Sequence, residues 1–449
     1  MTVALRREIG LWRGVALNMI DMVGIGPFIT IPLILSAMGG GRAMLAWVLG
    51  ALLAICDGLV TAELSAQMPA AGGSYVFLRE AYGAEKWGRL LSFLFLFQVL
   101  FSAPLSIASG AIGFAKYLAY LAPGLPWTTP AVAATACVAV TLLLFRKIGD
   151  IGRLSILLWA GVLATLAVVI IAGLPRLRLS AFAFWNAPRF DAAPGFTGLG
   201  AAMLFAVYDY LGYYNICYLG EEIHEPEKTI PRVIVLSIAL IAGIYILMNA
   251  CILSVLPIQA AMTSEHVVSD YLGVIMGPSA ARLVTIFILW TGLASVFSLM
   301  LGYSRILYAA GRDGNFFRIF GRLHPKGAYP WVALAELGLA GAVFCLMKLP
   351  DVIKSIVSIR AVIPFIAQIV AAVVLRRRFP DRPRPFRMWL YPVPAIVALG
   401  LWTFVLFSPQ KGFRAGAAYV MGAGMVFFLA RSALLRQWPF PARSEGGAA

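Results

Sequence analysis

Charge is what this sequence has least of. Only 12% of its 449 residues are Asp, Glu, Lys or Arg, and the 20 acids are outnumbered by 36 bases. Soluble domains carry about 25% charged residues, so a water-soluble enzyme is excluded as a class. Histidine is scarcer still, with His224, His266 and His324 far apart in loops. The five cysteines (Cys56, Cys137, Cys217, Cys251, Cys345) fall inside apolar segments. That placement excludes an extracellular disulfide framework and a cysteine–histidine metal cluster. No His-Glu-x-x-His, Gly-x-Ser-x-Gly or P-loop sequence occurs, so a zinc hydrolase, a serine hydrolase and an ATP-driven pump all lack the residues they need. Nothing calls for a cofactor.

What is present is long uncharged runs. Leu90–Ala115, Leu154–Pro175, Val233–Ser264, Leu283–Ser304 and Met388–Gln410 contain no Asp, Glu, Lys or Arg. About 20 apolar helical residues cross a hydrocarbon core ~30 Å thick, so the chain reads as an all-α integral membrane protein. Twelve spans are expected, at 11–38, 43–67, 87–119, 127–145, 152–174, 196–220, 230–256, 281–310, 329–348, 351–375, 388–408 and 413–434. The last is the weakest, because Arg431 and Arg436 crowd its end. A short basic start runs straight into the first span, so no cleavable signal peptide is expected.

The net charge of +16 invites a nucleic-acid reading. With the N-terminus inside, 25 of the 36 Lys and Arg fall on the cytoplasmic side, 10 outside, and Arg360 within a span. That bias fits the positive-inside rule with both termini cytoplasmic. The basicity then orients the protein and sits near anionic lipid heads. No loop is long enough to form a basic nucleic-acid-binding domain, so no nucleic-acid partner is expected.

Two spans are interrupted. The first reads Asn18-Met-Ile-Asp-Met-Val-Gly-Ile-Gly-Pro-Phe-Ile-Thr-Ile-Pro32. Gly24 and Gly26 lower helix stability, and Pro27 cannot donate to the preceding turn. In lipid, broken backbone is tolerated only where protein buries it or a cavity faces it. The sixth reads Phe205-Ala-Val-Tyr-Asp-Tyr-Leu-Gly-Tyr-Tyr-Asn215, with a carboxylate, four tyrosines and a glycine at mid-depth. Glycines alone fit a packing face, and tyrosines alone an aromatic stripe, but neither explains a charge such as Asp209 in a membrane. Each break opens a set of five spans, and five is odd, so the second set is inverted relative to the first. Paired interruptions in an inverted repeat point to a midplane site in a secondary transporter. Free N–H groups at one half-helix end suit an anion and free carbonyls at the other a cation, which together suit an amino acid.

At these residues the chain resembles the amino acid–polyamine–organocation transporter superfamily. Val23-Gly-Ile-Gly-Pro-Phe28 is similar to that group's first-span break. Ala62-Glu-Leu-Ser-Ala-Gln-Met-Pro-Ala-Ala-Gly-Gly-Ser-Tyr-Val-Phe-Leu-Arg-Glu-Ala-Tyr-Gly83 resembles its signature after the second span. Tyr210-Leu-Gly-Tyr213 with Gly220-Glu-Glu-Ile-His-Glu-Pro-Glu-Lys-Thr-Ile-Pro-Arg232 resembles the sixth-span break and following loop, and Ser304–Gly314 the end of the eighth span. The resemblance covers essentially the whole chain. It implies a LeuT-like five-plus-five core with two C-terminal helices: a cytoplasmic N-terminus at 1–10, repeats at 11–174 and 196–376, helices 11 and 12 at 388–434, and a tail at 435–449. It further implies a multi-pass amino acid transporter of the inner or plasma membrane, working by alternating access. By position, Gly24, Ile25 and Gly26 would hold the substrate carboxylate by backbone N–H. Carbonyls near Asp21–Val23 and Val207–Tyr210 would take the amine, and Tyr213 occupies the aromatic position after Gly212. Two departures stand out. Pro27 removes an N–H, and Gly-Pro-Phe also resembles the polyamine-transporting branch. The fifth span, Leu154–Pro175, lacks the lysine that some proton-coupled members carry.

Six ionisable residues lie well inside the spans: Asp21, Asp57, Glu63, Asp209, Glu336 and Arg360. Glu63, in the loop signature, reads as structural. Asp57 and Glu336 suit either hydrogen-bonded core acids or proton carriers. Arg360 is nine residues into its span, about 14 Å deep at 1.5 Å per residue, and stays charged. It is expected to pair with Asp209 or another acid, or to bind a substrate carboxylate. Asp209 among Tyr208, Tyr210, Tyr213 and Tyr214 suits a bound organic cation or a titrating group. Asp21 is a second candidate for proton coupling. Ser295, Ser298 and Ser358 offer hydroxyls. The expected function is amino acid transport with protons as coupling ion. The alternatives are a polyamine or other organic-cation carrier and, more distantly, a channel or receptor.

Overall fold

Alternating apolar runs and basic loops leave the chain one way to satisfy its backbone in lipid, as helices whose hydrogen bonds are all internal. The computed structural model describes residues 7–440 apart from 8, 70–71, 125–127, 146–147, 179–195, 326 and 328. Most of the expected N-terminal segment 1–10, the tail from 441, and Ala70 and Ala71 of the signature lie outside the described residues. Among the described residues there is no strand, only one isolated bridge between Ile9 and Ile223.

Each of the twelve expected spans coincides with helix. The first comprises α1 (Leu11–Met22), α2 (Gly26–Ile29) and α3 (Ile31–Met38), bent by 58° before α3. Then follow α4 (Met44–Gln67), a short α5 (Ser74–Tyr82), α6 (Gly88–Leu121), α7 (Thr129–Leu144) and α8 (Ile148–Gly173). The second set has α9 (Phe196–Tyr210), α10 (Pro226–Val255), the short α11 (Ile258–Thr263) and α12 (Val267–Met276), α13 (Pro278–Arg312), α14 (Trp331–Phe344), and α15 (Leu349–Arg360) continuing into α16 (Gln368–Arg378). α17 (Val393–Phe407) and α18 (Lys411–Leu434) complete the chain. Among the described residues, seven helices are long and apolar enough to cross a membrane by themselves, and the bent first span makes an eighth. α18, expected to be weakest, is a continuous 24-residue helix.

Small residues let the interrupted spans sit close to their neighbours. A side chain at Gly14 would meet Val233 of α10, and one at Gly113 would meet Ile25 of the first break, both at 2.8 Å. Three features were not expected: α5, the α11–α12 excursion between spans seven and eight, and a third interruption. Between α15 and α16, residues Ala361–Ala367 form a π-helical turn. Pro364 has no N–H for the carbonyl of Arg360, so the α-helical ladder cannot continue there.

Candidate functional site

The first break is a backbone feature. α1 ends where the Val23 N–H bonds to Met19 O (2.7 Å), and the Gly24 N–H turns back to Met22 O at 3.2 Å. Side chains from neighbouring spans re-satisfy the exposed carbonyls. The Tyr245 hydroxyl of α10 donates to Met22 O (3.0 Å), and the Tyr117 hydroxyl of α6 to Phe28 O (2.8 Å). Each such bond contributes about 1 kcal/mol, so the break is a supported conformation. The sixth span breaks at Gly212, whose φ of +117° is left-handed. There the chain passes so close to the first break that a Cβ would meet the carbonyl oxygen of Asp21 at 2.7 Å. Glycine is needed for both reasons. α9 ends at Tyr210, and the chain resumes as a 3₁₀ helix over Asn215–Glu222.

Where the breaks meet lies a cavity of about 50 Å³. Gly24, Gly26, Pro27, Tyr208, Asp209, Gly212 and Ser295 line it, together with Asp21, Ser106, Tyr303 and Arg360. Asp209 is 2% exposed. Its Oδ2 accepts from the Thr30 hydroxyl at 2.5 Å, and its Oδ1 is buried with no partner. Oδ1 faces Gly26 so closely that any Cβ there would collide with it, and the Tyr208 ring lies alongside. The Tyr208 and Ser109 hydroxyls are 2.6 Å apart. A side chain at Gly24 would meet Ser295 Oγ at 2.6 Å. Both glycines of the first break are thus held by close approach of the opposite wall.

Arg360, 5% exposed, stands on the same cavity. Its Nη2 donates to the Tyr303 hydroxyl (2.8 Å), the Ser106 hydroxyl (3.0 Å) and the Ser102 carbonyl (3.1 Å), and its Nη1 to the Tyr214 hydroxyl (3.4 Å). All these partners are neutral. The expected pairing with Asp209 is not made, and Arg360 forms no ion pair among the described residues. The π turn at Ala361 directs its side chain toward the α6 serines and the Tyr303 hydroxyl instead.

A second, larger cavity of about 540 Å³ begins beside the first and reaches the exposed Arg312 and Asp313 at one end of the bundle. Asp21, Asn215, Leu299 and Tyr303 line both. At this neck the Ser298 hydroxyl donates to Asp21 Oδ1 at 2.5 Å, tying α1 to α13.

The remaining expected residues lie behind these walls. Ile25 is buried against Gly113 and Gly292. Tyr210 donates to Trp47 O (3.2 Å) and packs on Gly50. Tyr213 donates to Asp57 Oδ2 at 2.5 Å. Ser358 is buried with its hydroxyl unpartnered, and Glu336 Oε2 is likewise without a partner. Glu63 accepts from Arg376 at two atoms, with Nε at 2.7 Å, and from the Met388 N–H at 2.6 Å. Sequence reasoning missed Thr30, Ser106, Ser109 and Tyr303. The α6 serines had a signal: Ser102, Ser106 and Ser109 recur at helical spacing in an uncharged run, a polar stripe on one face. Thr30 and Tyr303 had none.

Comparison with known proteins identifies the family. The profile of the amino acid permease family matches residues 9–429. The serine/threonine exchanger SteT of Bacillus subtilis is 27% identical over 413 residues, covering 90% of this chain and 91% of that protein. Large neutral amino acids transporter small subunit 2 of Oryctolagus cuniculus is 26% identical over 420 residues, covering 90% and 76%. Asc-type amino acid transporter 1 of Mus musculus is 26% identical over 421 residues, again covering 90% and 76%. The chain therefore belongs to the amino acid permease family, within the amino acid–polyamine–organocation superfamily of LeuT-fold membrane transporters, and is a permease rather than an enzyme.

Proposed function

We propose that this permease moves amino acids across the cytoplasmic or plasma membrane by alternating access, with protons as coupling ion. The observation that carries the reading is the small cavity where two helix breaks meet, lined by one buried carboxylate and one buried guanidinium. Repeats at 11–174 and 196–376 form the working core, with 388–434 packed outside it. Gly24, Gly26, Tyr208, Asp209, Gly212 and Ser295 contact the substrate. Ile25, Tyr210, Tyr213 and Ser298 brace that wall.

The basic loops support both termini inside, so the larger cavity opens to the cytoplasm. α12, packed on α2, α8 and α13, then covers the outer end. Asp21 is the favoured proton carrier, because it lines both cavities and its hydrogen bond from Ser298 links the broken first span to α13. Taking or losing a proton there changes the tie that closes the neck. Lipids fill the surround. Uptake into proteoliposomes is expected to follow an imposed pH gradient, and Asp21→Asn to uncouple uptake from it. Uptake that ignores the gradient and needs internal amino acid would replace symport with exchange, the mode named for SteT. A polyamine or other organic-cation substrate is a second reading, favoured by Asp209 beside the Tyr208 ring.

A further inference from the structure

Several arginines near the helix ends sit beside an acid: Arg79 with Glu80, Arg312 with Asp313 and Arg376 with Glu63. Three others do not. Arg89 at the start of α6, Arg318 in the segment after α13, and Arg431 one turn inside the end of α18 form no ion pair among the described residues. Arg89 donates only to the side-chain carbonyl of Gln437, and Arg431 only to the Gly314 carbonyl, both neutral. The three belong to one patch. The Arg89 guanidinium lies 5.8 Å over the Phe428 ring of α18, one turn before Arg431. Arg431 is repelled by both Arg89 and Arg318. Like charges gathered at a half-buried position are unfavourable unless an anion joins them. Trp87 and Trp438 frame the patch with their rings 5.2 Å apart, and tryptophan is a residue of the membrane–water interface. Beside it, Val426, Leu434 and Leu435 are exposed.

We infer that Arg89, Arg318 and Arg431 form a headgroup site for an anionic phospholipid. Its phosphodiester bridges α6, α18 and the segment after α13, and its acyl chains lie along the outer face of α18. Guanidinium N–H groups match phosphate oxygens in pairs, and three guanidiniums from three elements converge here with no acid to compete. Depth selects the source of the phosphate. Arg431 is one turn inside an apolar span, where a dissolved phosphate would have to leave water, whereas a lipid phosphate already resides at the interface. A zwitterionic headgroup would bring a further cation to a patch that already repels itself, so the site discriminates against it. None of the three arginines lines either cavity, so this site is separate from the transport path. It also has a mechanical meaning. α18 is the least buried of the seven long apolar helices, and a lipid bridging its end to α6 holds a helix that the protein itself holds weakly.

The test is lipid titration of the purified full-length protein in neutral detergent, with bound lipid counted by native mass spectrometry. The probes are phosphatidylglycerol, phosphatidylcholine and inorganic phosphate. Wild type is expected to bind phosphatidylglycerol at least about tenfold more tightly than phosphatidylcholine, with inorganic phosphate unable to displace it. Arg318→Gln combined with Arg431→Gln should weaken phosphatidylglycerol about 25-fold, or about fivefold for each cation removed. Arg318→Lys with Arg431→Lys, which keep the charge, should retain most of the affinity. Arg377→Gln with Arg378→Gln removes the same charge from the exposed end of α16 and should bind like wild type. In nanodiscs, replacing a third of the phosphatidylcholine by phosphatidylglycerol should raise the melting temperature of wild type but not of the Arg318→Gln, Arg431→Gln variant. The proposal is overturned if that variant binds phosphatidylglycerol like wild type, or if the α16 pair weakens binding as much. It is also overturned, whether or not the variants fold, if wild type takes both lipids equally or if inorganic phosphate displaces phosphatidylglycerol.

Discussion

Two sets of acid and base inside the helical bundle, among the described residues, are built in opposite ways. Glu63 of α4, 0% exposed, meets Arg376 of α16 through two hydrogen bonds and takes a third from the Met388 backbone. The Arg376 guanidinium also lies 3.7 Å from the Tyr391 ring centroid. Every charge there is compensated inside the protein, so the cluster can only hold α4, α16 and the segment before α17 together. Asp209 and Arg360 face one cavity and are not paired with each other. The difference teaches that burial of charge does not by itself mark a site. The proposed site differs from the Glu63 cluster in that its ionisable groups border a cavity and lack a partner of opposite charge.

Removing one partner of the finished pair should have the largest effect. Glu63→Gln weakens two charge-assisted hydrogen bonds from the partly exposed Arg376, which costs about 2–3 kcal/mol. The expected result is a much lower melting temperature in detergent, with ligand affinity of the surviving folded fraction unchanged. If Glu63→Gln melted like wild type but failed to bind, the contrast between the two pairs would collapse. Next comes Gly26→Ala, which drives a methyl group into Asp209 Oδ1. Overpacking of about 2 kcal/mol should appear as a roughly 30-fold weaker uptake affinity with little loss of folded protein. Wild-type uptake kinetics in that variant would remove Gly26 from the site.

A smaller effect is expected from Tyr213→Phe, which takes the hydroxyl donor from the buried Asp57. About 1 kcal/mol of stability should go, read as a shift in melting temperature without a change in substrate preference. The smallest belongs to His266 and Asp270, 3.0 Å apart outside the spans, with the His266 ring tilted 56° against the Tyr120 ring. The hydrogen bond that His266 donates to Asp270 raises the imidazole pKa, against the burial that lowers it. Burial would raise Asp270, but its hydrogen bonds with His266 and Ser264 hold it below the ordinary carboxylate value. For His266 the stability is fully present below the unfolded imidazole pKa and is lost as pH rises through the raised folded value. For Asp270 it is present above the unfolded carboxylate pKa and is lost as pH falls through the depressed folded one. Both side chains are about one-third exposed, so screening keeps the pair below about 1 kcal/mol. Wild type should lose slightly more stability than His266→Gln between about pH 6 and pH 8. Parallel curves would show that the pair contributes nothing.

Much of this was legible in the chain. Twelve spans follow from apolar runs and basic loops because a bilayer admits only internally bonded helices, a constraint that acts on local sequence. The first two breaks were legible because Gly24, Gly26, Pro27 and Gly212 alter the backbone wherever they stand. The turn at Arg360–Ala367 escaped notice, although Pro364 carried the same signal, because a proline in a membrane span more often marks only a kink. Thr30 and Tyr303 had no local mark at all. A hydroxyl in a helix usually bonds back to its own carbonyls, and nothing along the chain says that these two reach across.

Local chemistry was enough to set the class of protein, its helical membrane-spanning fold and the places where two helices break. Each of those rests on the cost of exposing polar groups to hydrocarbon, which is counted residue by residue. Pairing could not be counted that way. Glu63 and Arg376 are 313 residues apart and joined, while Asp209 and Arg360 border one cavity and are apart. Only the packing of α4, α6, α9, α13 and α15 decided which ionisable groups meet a partner of opposite charge and which do not.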